Sequence, residues 1–400
     1  MDHIQTKKQK IEKNILKYYL YRFFVSFSFT GPIFILFLQE NGISMTGVMV
    51  LNAAFTGVIM LGVVPFGALA DRIGRKKVLI GGVICLALAF AVYSAGKTFF
   101  VFLIGEILFG LGIGMFISSG SSFFYDSLKE AGRKDEFKKL YGKALSINNI
   151  MWALGALLGS VIAVYSLRLN FLLSFIPVLA GVFVVLTFTE TKLYKHQQKH
   201  YLSHIKEAAL FCIKHPRIRF FILYGMLLIG TAMTVNYIYQ PYLKEIGVPI
   251  ILFGILYALM NFAGAFASKL AHRIEYRLGE KRTLLVFIVV GAAAYTGFAL
   301  MNMYLGILLP LVISFAVGVI EPTVGDYINK HVLSNQRATV SSLNSLMIMG
   351  FSTVLGPLLG MLIDAFGLQA TFVAIAAGFI SLLILLAIWY KIESKKIHKS

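Results

Sequence analysis

The sequence predicts an all-α membrane protein of twelve transmembrane helices arranged as two six-helix bundles, and three observations predict it. Of 400 residues, 58% are hydrophobic and 14% charged, with 34 Phe, against about 25% charged in soluble domains. Apolar runs long enough to cross a bilayer, about 20 residues each, recur along the whole chain. Lysine and arginine then collect in every second interval between those runs, a pattern that membrane orientation explains and a soluble core does not.

The runs cover 14–39, 43–70, 77–96, 98–128, 138–165, 168–189, 218–243, 248–272, 282–301, 303–329, 338–364 and 369–391. Several exceed 25 residues, and a tilted helix absorbs that surplus. A soluble chain of this size could not bury so much apolar surface in one or two cores. With the N-terminus inside, 33 of the 37 Lys and Arg residues fall in cytoplasmic segments. Lys97, Arg168 and Lys244 fall outside, and Arg22 lies within the first run. Both termini are therefore expected in the cytoplasm, with the chain multi-pass in the cell (plasma) membrane. The net charge of +19 becomes an orientation signal and not a nucleic-acid footprint. Lys7, Lys8, Lys10, Lys13 and Lys17 lead into a full-length run without a small-residue cleavage site, so no cleavable signal peptide is expected. Cys85 and Cys212 suggest neither a disulfide nor a metal site, and no cofactor is expected.

Glu190 to Arg219 is the long polar, basic break. It divides the chain into an N-terminal bundle (1–189), a cytoplasmic linker (190–217) and a C-terminal bundle (218–400). Within the linker, Ile205, Ala208, Ala209 and Cys212 share a helical face before Pro216, which predicts a short amphipathic helix on the inner leaflet. His196, His200 and His204 stand at helical spacing, but a solvated basic linker accounts for them without a metal. An internal repeat supports the division. Leu154-Gly155-Ala156-Leu157-Leu158-Gly159 in span 5 matches Leu355-Gly356-Pro357-Leu358-Leu359-Gly360 in span 11 at an offset of 201. At the same offset, Leu69-Ala70-Asp71-Arg72-Ile73 matches Leu270-Ala271-His272-Arg273-Ile274. Parallel six-helix repeats are one architecture of secondary transporters, with a substrate site between them near the midplane.

The sharpest local signal is Gly67-Ala68-Leu69-Ala70-Asp71-Arg72-Ile73-Gly74-Arg75-Lys76-Lys77, after span 2. Small residues permit close approach of span 2 to a neighbour, Gly74 permits a tight turn, and Asp71 at a membrane edge needs a partner. This stretch resembles the loop 2–3 signature of the major facilitator superfamily, Gly-x-Leu-x-Asp-Arg-x-Gly-Arg-Lys/Arg-Lys. Helix count, central loop and repeat extend the resemblance over the whole chain. It implies alternating-access transport with spans 1, 4, 7 and 10 lining the cavity. It also implies a cytoplasmic latch of Gly67, Asp71, Arg72, Gly74 and Arg75 with Asp126, which closes span 4 on the same side; capping of a polar helix end is the plainer role for Asp126. In the second half His272 stands where Asp71 stands, and Glu275 to Leu278 precede Gly279 as extra residues, so the latch is expected to be asymmetric.

Glu106, about a third of the way into span 4, is the most informative single residue. A carboxylate inside a bilayer costs about 2.5 kcal/mol or more, and burial favours its neutral form, as a proton carrier requires. Many proton-coupled relatives carry an arginine at the matching place, and this chain carries the opposite charge. Arg22 in span 1 could pair with Glu106, or could snorkel. Glu321 in span 10 shares a face with Ser314 and Gly318, or reaches the boundary and is solvated. Glu106, Arg22 and Glu321 are the candidates for proton coupling. Met233, Asn236, Tyr237 and Gln240 on one face of span 7, with Ser314, are the cavity candidates. Gly155, Gly159, Gly356, Pro357 and Gly360 suit close packing between the halves. Drug–proton antiporters of the family typically carry Gly-Pro in span 5, where this chain has Ala156.

The expected function is secondary active transport, leaning to proton-coupled efflux of lipophilic or cationic small molecules. Proton-coupled uptake of a small nutrient is the alternative, and a membrane-embedded transferase is the alternative of another class. The partners are then a small-molecule substrate, protons and the lipid bilayer, with no nucleic acid and a monomeric chain. Gly110-x-Gly112-x-Gly114 lies inside an apolar span with no preceding strand and is no phosphate loop. Enzymatic activity is not expected.

Overall fold

The computed structural model describes residues 2–192, 210–332 and 336–397. All regular structure among them is helical, as hydrocarbon demands of a chain that must satisfy its own backbone. The first half runs α1 (Asp2–Ser26), α2 (Phe34–Glu40), α3 (Met45–Ile73), α4 (Arg75–Ala95), α5 (Phe99–Ala131), α6 (Phe137–Ala163) and α7 (Leu167–Leu186). The second runs α8 (Pro216–Gly225), a π-helical turn (Met226–Gly230), α9 (Thr231–Glu245), α10 (Ile251–Ala299), α11 (Met303–Lys330) and α12 (Arg337–Ile397).

Nine helices among the described residues are long and apolar enough to cross a membrane. Two of them each hold two of the expected runs. Residues 251–299 bend at Gly279 (φ 73°) and 337–397 at Gly367 (φ 82°), backbone that glycine adopts without strain. The first expected run lies outside the nine because it is divided between α1 and α2.

The chain packs as two compact units. One comprises Met1–Ile43, Val50–Lys199 and Ile250–Tyr257; the other comprises Ser44–Met49, His200–Pro249 and Ala258–Ser400. In the first unit, the break between α1 and α2 lies against α6. A Cβ on Gly155 would sit 2.2 Å from the Ser28 carbonyl oxygen, and one on Gly159 would sit 2.0 Å from that of Phe29. Side chains satisfy the freed backbone: Phe29 N–H donates to Ser174 Oγ (2.9 Å) and Asn170 Nδ2 donates to the Gly159 carbonyl (2.9 Å). Gly155 and Gly159 were expected at a contact between halves. Their close approach is instead to the unwound stretch of the first span, whose carbonyls point at α6. At the end away from the basic loops, Arg168 gathers three elements. It donates to the carbonyls of Ser94 (2.8 Å) and Gly96 (2.7 Å) and to Asn41 Oδ1 (2.6 Å).

In the second unit, Gly230 closes the π-turn against the Phe351 ring, 2.7 Å from where a Cβ would stand. The turn lines an apolar space bounded by Leu228, Ala232, Tyr295, Val317 and Phe379. Asp364 caps the first turn of α3, accepting from Met45 N–H (2.9 Å), Thr46 N–H (2.8 Å) and Thr46 Oγ1 (2.6 Å). Gly360 lies one turn earlier, where a Cβ would come within 2.7 Å of Thr46 Cα. Gly356 is looser, 3.6 Å from Met49 Sδ by the same measure. Of the amphipathic helix expected in the linker, Ile205, Ala208 and Ala209 lie outside the described residues, as do His196, His200 and His204.

Candidate functional site

Three charged stations stand along α5 at ten-residue intervals, near 106, 116 and 126, each about 15 Å from the next by helix rise. The station at the basic end is built first. Gly74 takes a left-handed φ of 109°, so the chain can turn from α3 into α4. Arg75 then lies buried and pairs with Asp126 on α5 and, at 3.9 Å, with Asp71 one turn back. Arg72 is exposed. A Cβ on Gly67 would meet nothing within 4 Å, so the expected close approach at that residue is not used.

Sequence reasoning missed two members of this station. Glu190 accepts the Lys76 N–H (3.2 Å), and its Oε2 lies 2.5 Å from where a Gly74 Cβ would be. Gly74 is thus required twice, for its φ and for the space. Asn14 donates to the Thr189 carbonyl (2.8 Å) and to Ser127 Oγ (3.2 Å), and accepts from Thr189 N–H (2.9 Å). Lys17 donates to the Thr187 carbonyl, and Lys192 N–H donates to Glu130. The stretch 187–192 is sewn onto the first unit by these contacts. An Asn inside an apolar run was the available signal. Glu190 gave none beyond its place at a run's end.

The second half holds a different arrangement. The offset of 201 puts Tyr327 where Asp126 stands, and the Tyr327 hydroxyl donates to Glu275 (3.2 Å). The acid now comes from the helix before the loop and its partner from α11, in place of the Arg–Asp pair. Arg75→Asp or Asp126→Arg alone is expected to leave an unpaired buried charge and reduce transport at least about tenfold, with the double swap recovering most of it. Initial rates in vesicles check this. A swap no better than either single variant would remove the pair from the cycle.

At the middle station Arg22 is 7% exposed and lies over the Phe116 ring, 4.4 Å from its centroid. The ring is laid flat because Gly120, one turn on, has no Cβ; one would stand 2.6 Å from it. Such a cation–π contact is worth roughly 0.5–2 kcal/mol, less than the roughly 2.5–3.5 kcal/mol insertion cost of an arginine at mid-membrane. Among the described residues no carboxylate pairs with Arg22.

Glu106 forms the third station, 5% exposed. Its carboxyl faces the Tyr93 hydroxyl. The geometry falls short of a regular hydrogen bond and amounts to a polar contact. Gly105 makes the space, because a Cβ there would meet the Tyr93 ring at 2.6 Å. Phe102 and Phe171 sandwich that ring at 5.3 and 5.0 Å. The sequence left open a Glu106–Arg22 pair, and the structure separates the two. α1 and α5 place them at different depths, one over Phe116 and the other beside Tyr93.

The remaining candidates scatter. Glu321 is exposed on α11. Ser314 and Gly318 turn toward Gly264 of α10: the Ser314 carbonyl lies 3.4 Å from where a Gly264 Cβ would be, and the Gly264 carbonyl 2.3 Å from that of Gly318. Met233 and Asn236 are exposed on α9 and Tyr237 is half-buried, whereas Gln240 is 4% exposed and already engaged. Pro241 follows at once, inside α9 and buried.

A helical membrane protein with isolated charges held inside its spans has the build of a solute transporter. The sequence profile of the Major Facilitator Superfamily matches residues 20–357, and the chain belongs to that superfamily. It is a membrane transporter of small molecules. The MFS-type transporter YxaM of Bacillus subtilis is 24% identical over 91% of this chain and 92% of its own length. Multidrug resistance protein 2 of the same organism is 25% identical over 92% and 93%. Among solved structures, the nucleoside transporter NupG superposes with a TM-score of 0.78 at 16% identity, covering 96% of this chain and 99% of that one. That likeness concerns the fold.

Proposed function

We propose that the chain is a proton-coupled exporter of lipophilic small molecules, working by alternating access as a monomer in the cell membrane with both termini cytoplasmic. Glu106 carries the proton, and spans 1, 4, 7 and 10 form the path. The two halves act as the moving bundles, and the Asp71–Arg75–Asp126 cluster holds the basic end in one of its states.

The observation that carries this reading is the Glu106 carboxyl, buried on α5 against a phenol and with no ion-pair partner among the described residues. Ionising a carboxyl so placed costs desolvation that the single polar contact with Tyr93 offsets only in part, whereas the neutral acid incurs little of that cost. Such a group can load from one side and discharge to the other as the bundles rock. Export is supported by the relative named for multidrug resistance.

The test is proton movement in proteoliposomes with an internal pH dye and imposed gradients of lipophilic compounds. Export by exchange predicts that a compound moving one way drives protons the other way. Movement of both in one direction would convert the reading to uptake. Substrate movement without any pH change would remove proton coupling.

A further inference from the structure

We propose that Arg22 receives a negatively charged group of the transported molecule, so that the substrates are amphipathic organic anions bearing a carboxylate, sulfonate or phosphate. The proposal rests on the reading of the chain as a transporter of lipophilic compounds and narrows it to one charge type.

The guanidinium keeps its charge throughout the physiological range. It is 7% exposed and makes no hydrogen bond or ion pair to any described residue; it lies over the Phe116 face at 4.4 Å. The nearest acids along α5 lie about 15 Å away on either side. Glu106 there faces Tyr93, and Asp126 is already held by Arg75. A second donor stands beside it. Tyr18, one turn back on α1, is 0% exposed, its hydroxyl has no partner, and it lies within electrostatic reach of Arg22. A fixed cation and an unspent O–H donor, walled by Phe116, Tyr18 and Tyr21, form a receptor for an oxyanion attached to an apolar body. The planar fork of a guanidinium matches such groups in bidentate fashion.

Depth separates this from a lipid headgroup site. Arg22 lies over Phe116, ten residues before Asp126 of the basic-end cluster on α5, about 15 Å of helix, which is toward the middle of a hydrocarbon core of about 30 Å. A charged group held at that depth faces a bundle interior or a water-filled cavity. An anion that reaches Arg22 has therefore entered the transport path. A lipophilic cation arriving there would meet an uncompensated positive charge and be repelled.

The test is direct binding to the full-length protein in nanodiscs of purely zwitterionic lipid, with two xanthene dyes of matched shape and opposite charge, fluorescein and rhodamine 123. Fluorescein is expected to bind about tenfold or more tighter than rhodamine 123. Arg22→Gln is expected to weaken fluorescein by about tenfold or more and leave rhodamine 123 unchanged or tighter, while Arg22→Lys, a point charge without the fork, retains an intermediate affinity. Elution volume and melting temperature establish that both variants are folded. Equal or tighter binding of rhodamine 123, no measurable binding of either dye, or a fluorescein affinity that ignores Arg22→Gln would overturn the proposal. So would displacement of fluorescein by phosphatidylglycerol added to the disc, which would assign Arg22 to a headgroup. Binding needs no pH gradient and no direction of transport, so failure of proton-coupled export leaves this test standing on its own.

Discussion

Glu106→Gln is expected to reduce substrate-driven proton movement by roughly a hundredfold or to background, the scale on which an essential proton-carrying group acts. The substitution keeps the shape and can keep the contact with Tyr93, but it removes the group that titrates. The protein should therefore remain folded, and its melting temperature should not fall, because a buried ionisable group has been replaced by a neutral one. Glu106→Asp retains a carboxyl withdrawn by one methylene from Tyr93 and should keep part of the flux. Tyr93→Phe removes only the hydroxyl and should have a few-fold effect, on the scale of a single neutral hydrogen-bonding contact. The other acids are poorer candidates for separate reasons. Asp126 is committed to Arg75, and Glu321 is exposed on α11. Flux within about twofold of wild type in Glu106→Gln, in the same pH-dye assay, would reduce Glu106 to a structural partner of Tyr93.

The spans, their order and the cluster after the second span were legible because each rests on local chemistry. Twenty apolar residues, a run of Lys and Arg, or a glycine at a turn announce themselves within one window. The Arg22–Glu106 pair was open because sequence gives a residue's depth in its own helix and leaves its neighbours undetermined. Depth alone would have argued against it. Arg22 is nine residues from Lys13 at the basic end, whereas Glu106 is 25 residues from the basic end of α5 at Ala131. Two antiparallel spans that start from opposite ends cannot bring those residues level. Glu190 was hidden for another reason. It sits where an apolar run stops, and its role depends on a helix start more than a hundred residues away, at Lys76 N–H. Likewise Gly155-x-x-x-Gly159 stated that something comes close, and only the packing shows that it is the unwound end of the first span.

That close approach carries the second large effect. Gly159→Ala is expected to destabilise the protein by about 2–3 kcal/mol, and Gly159→Val to prevent accumulation of folded protein, because the added atoms have nowhere to go. The obstruction is the backbone, since a Cβ at 159 would stand 2.0 Å from the Phe29 carbonyl oxygen and 2.8 Å from its carbon. A side chain could swing aside. This carbonyl moves only with the backbone, which Ser174 ties down at the neighbouring Phe29 N–H. The same chain supplies its own controls. Gly356→Ala meets only side chains at ordinary contact distance, Met49 at 3.6 Å and Thr234 at 3.9 Å, and Gly67→Ala meets nothing within 4 Å. Both should melt at or above the wild-type temperature, since Ala is favoured over Gly inside a helix by roughly 1 kcal/mol. Thermal unfolding in detergent, followed by intrinsic fluorescence, ranks the three alanine variants, and the yield of folded protein checks Gly159→Val. Were Gly159→Ala to melt with Gly356→Ala, the first span would not be pinned against α6 where its helix breaks. Arg22, one turn before α1 ends at Ser26, would then be free to turn away from Phe116, and the anion receptor would lose the geometry that defines it.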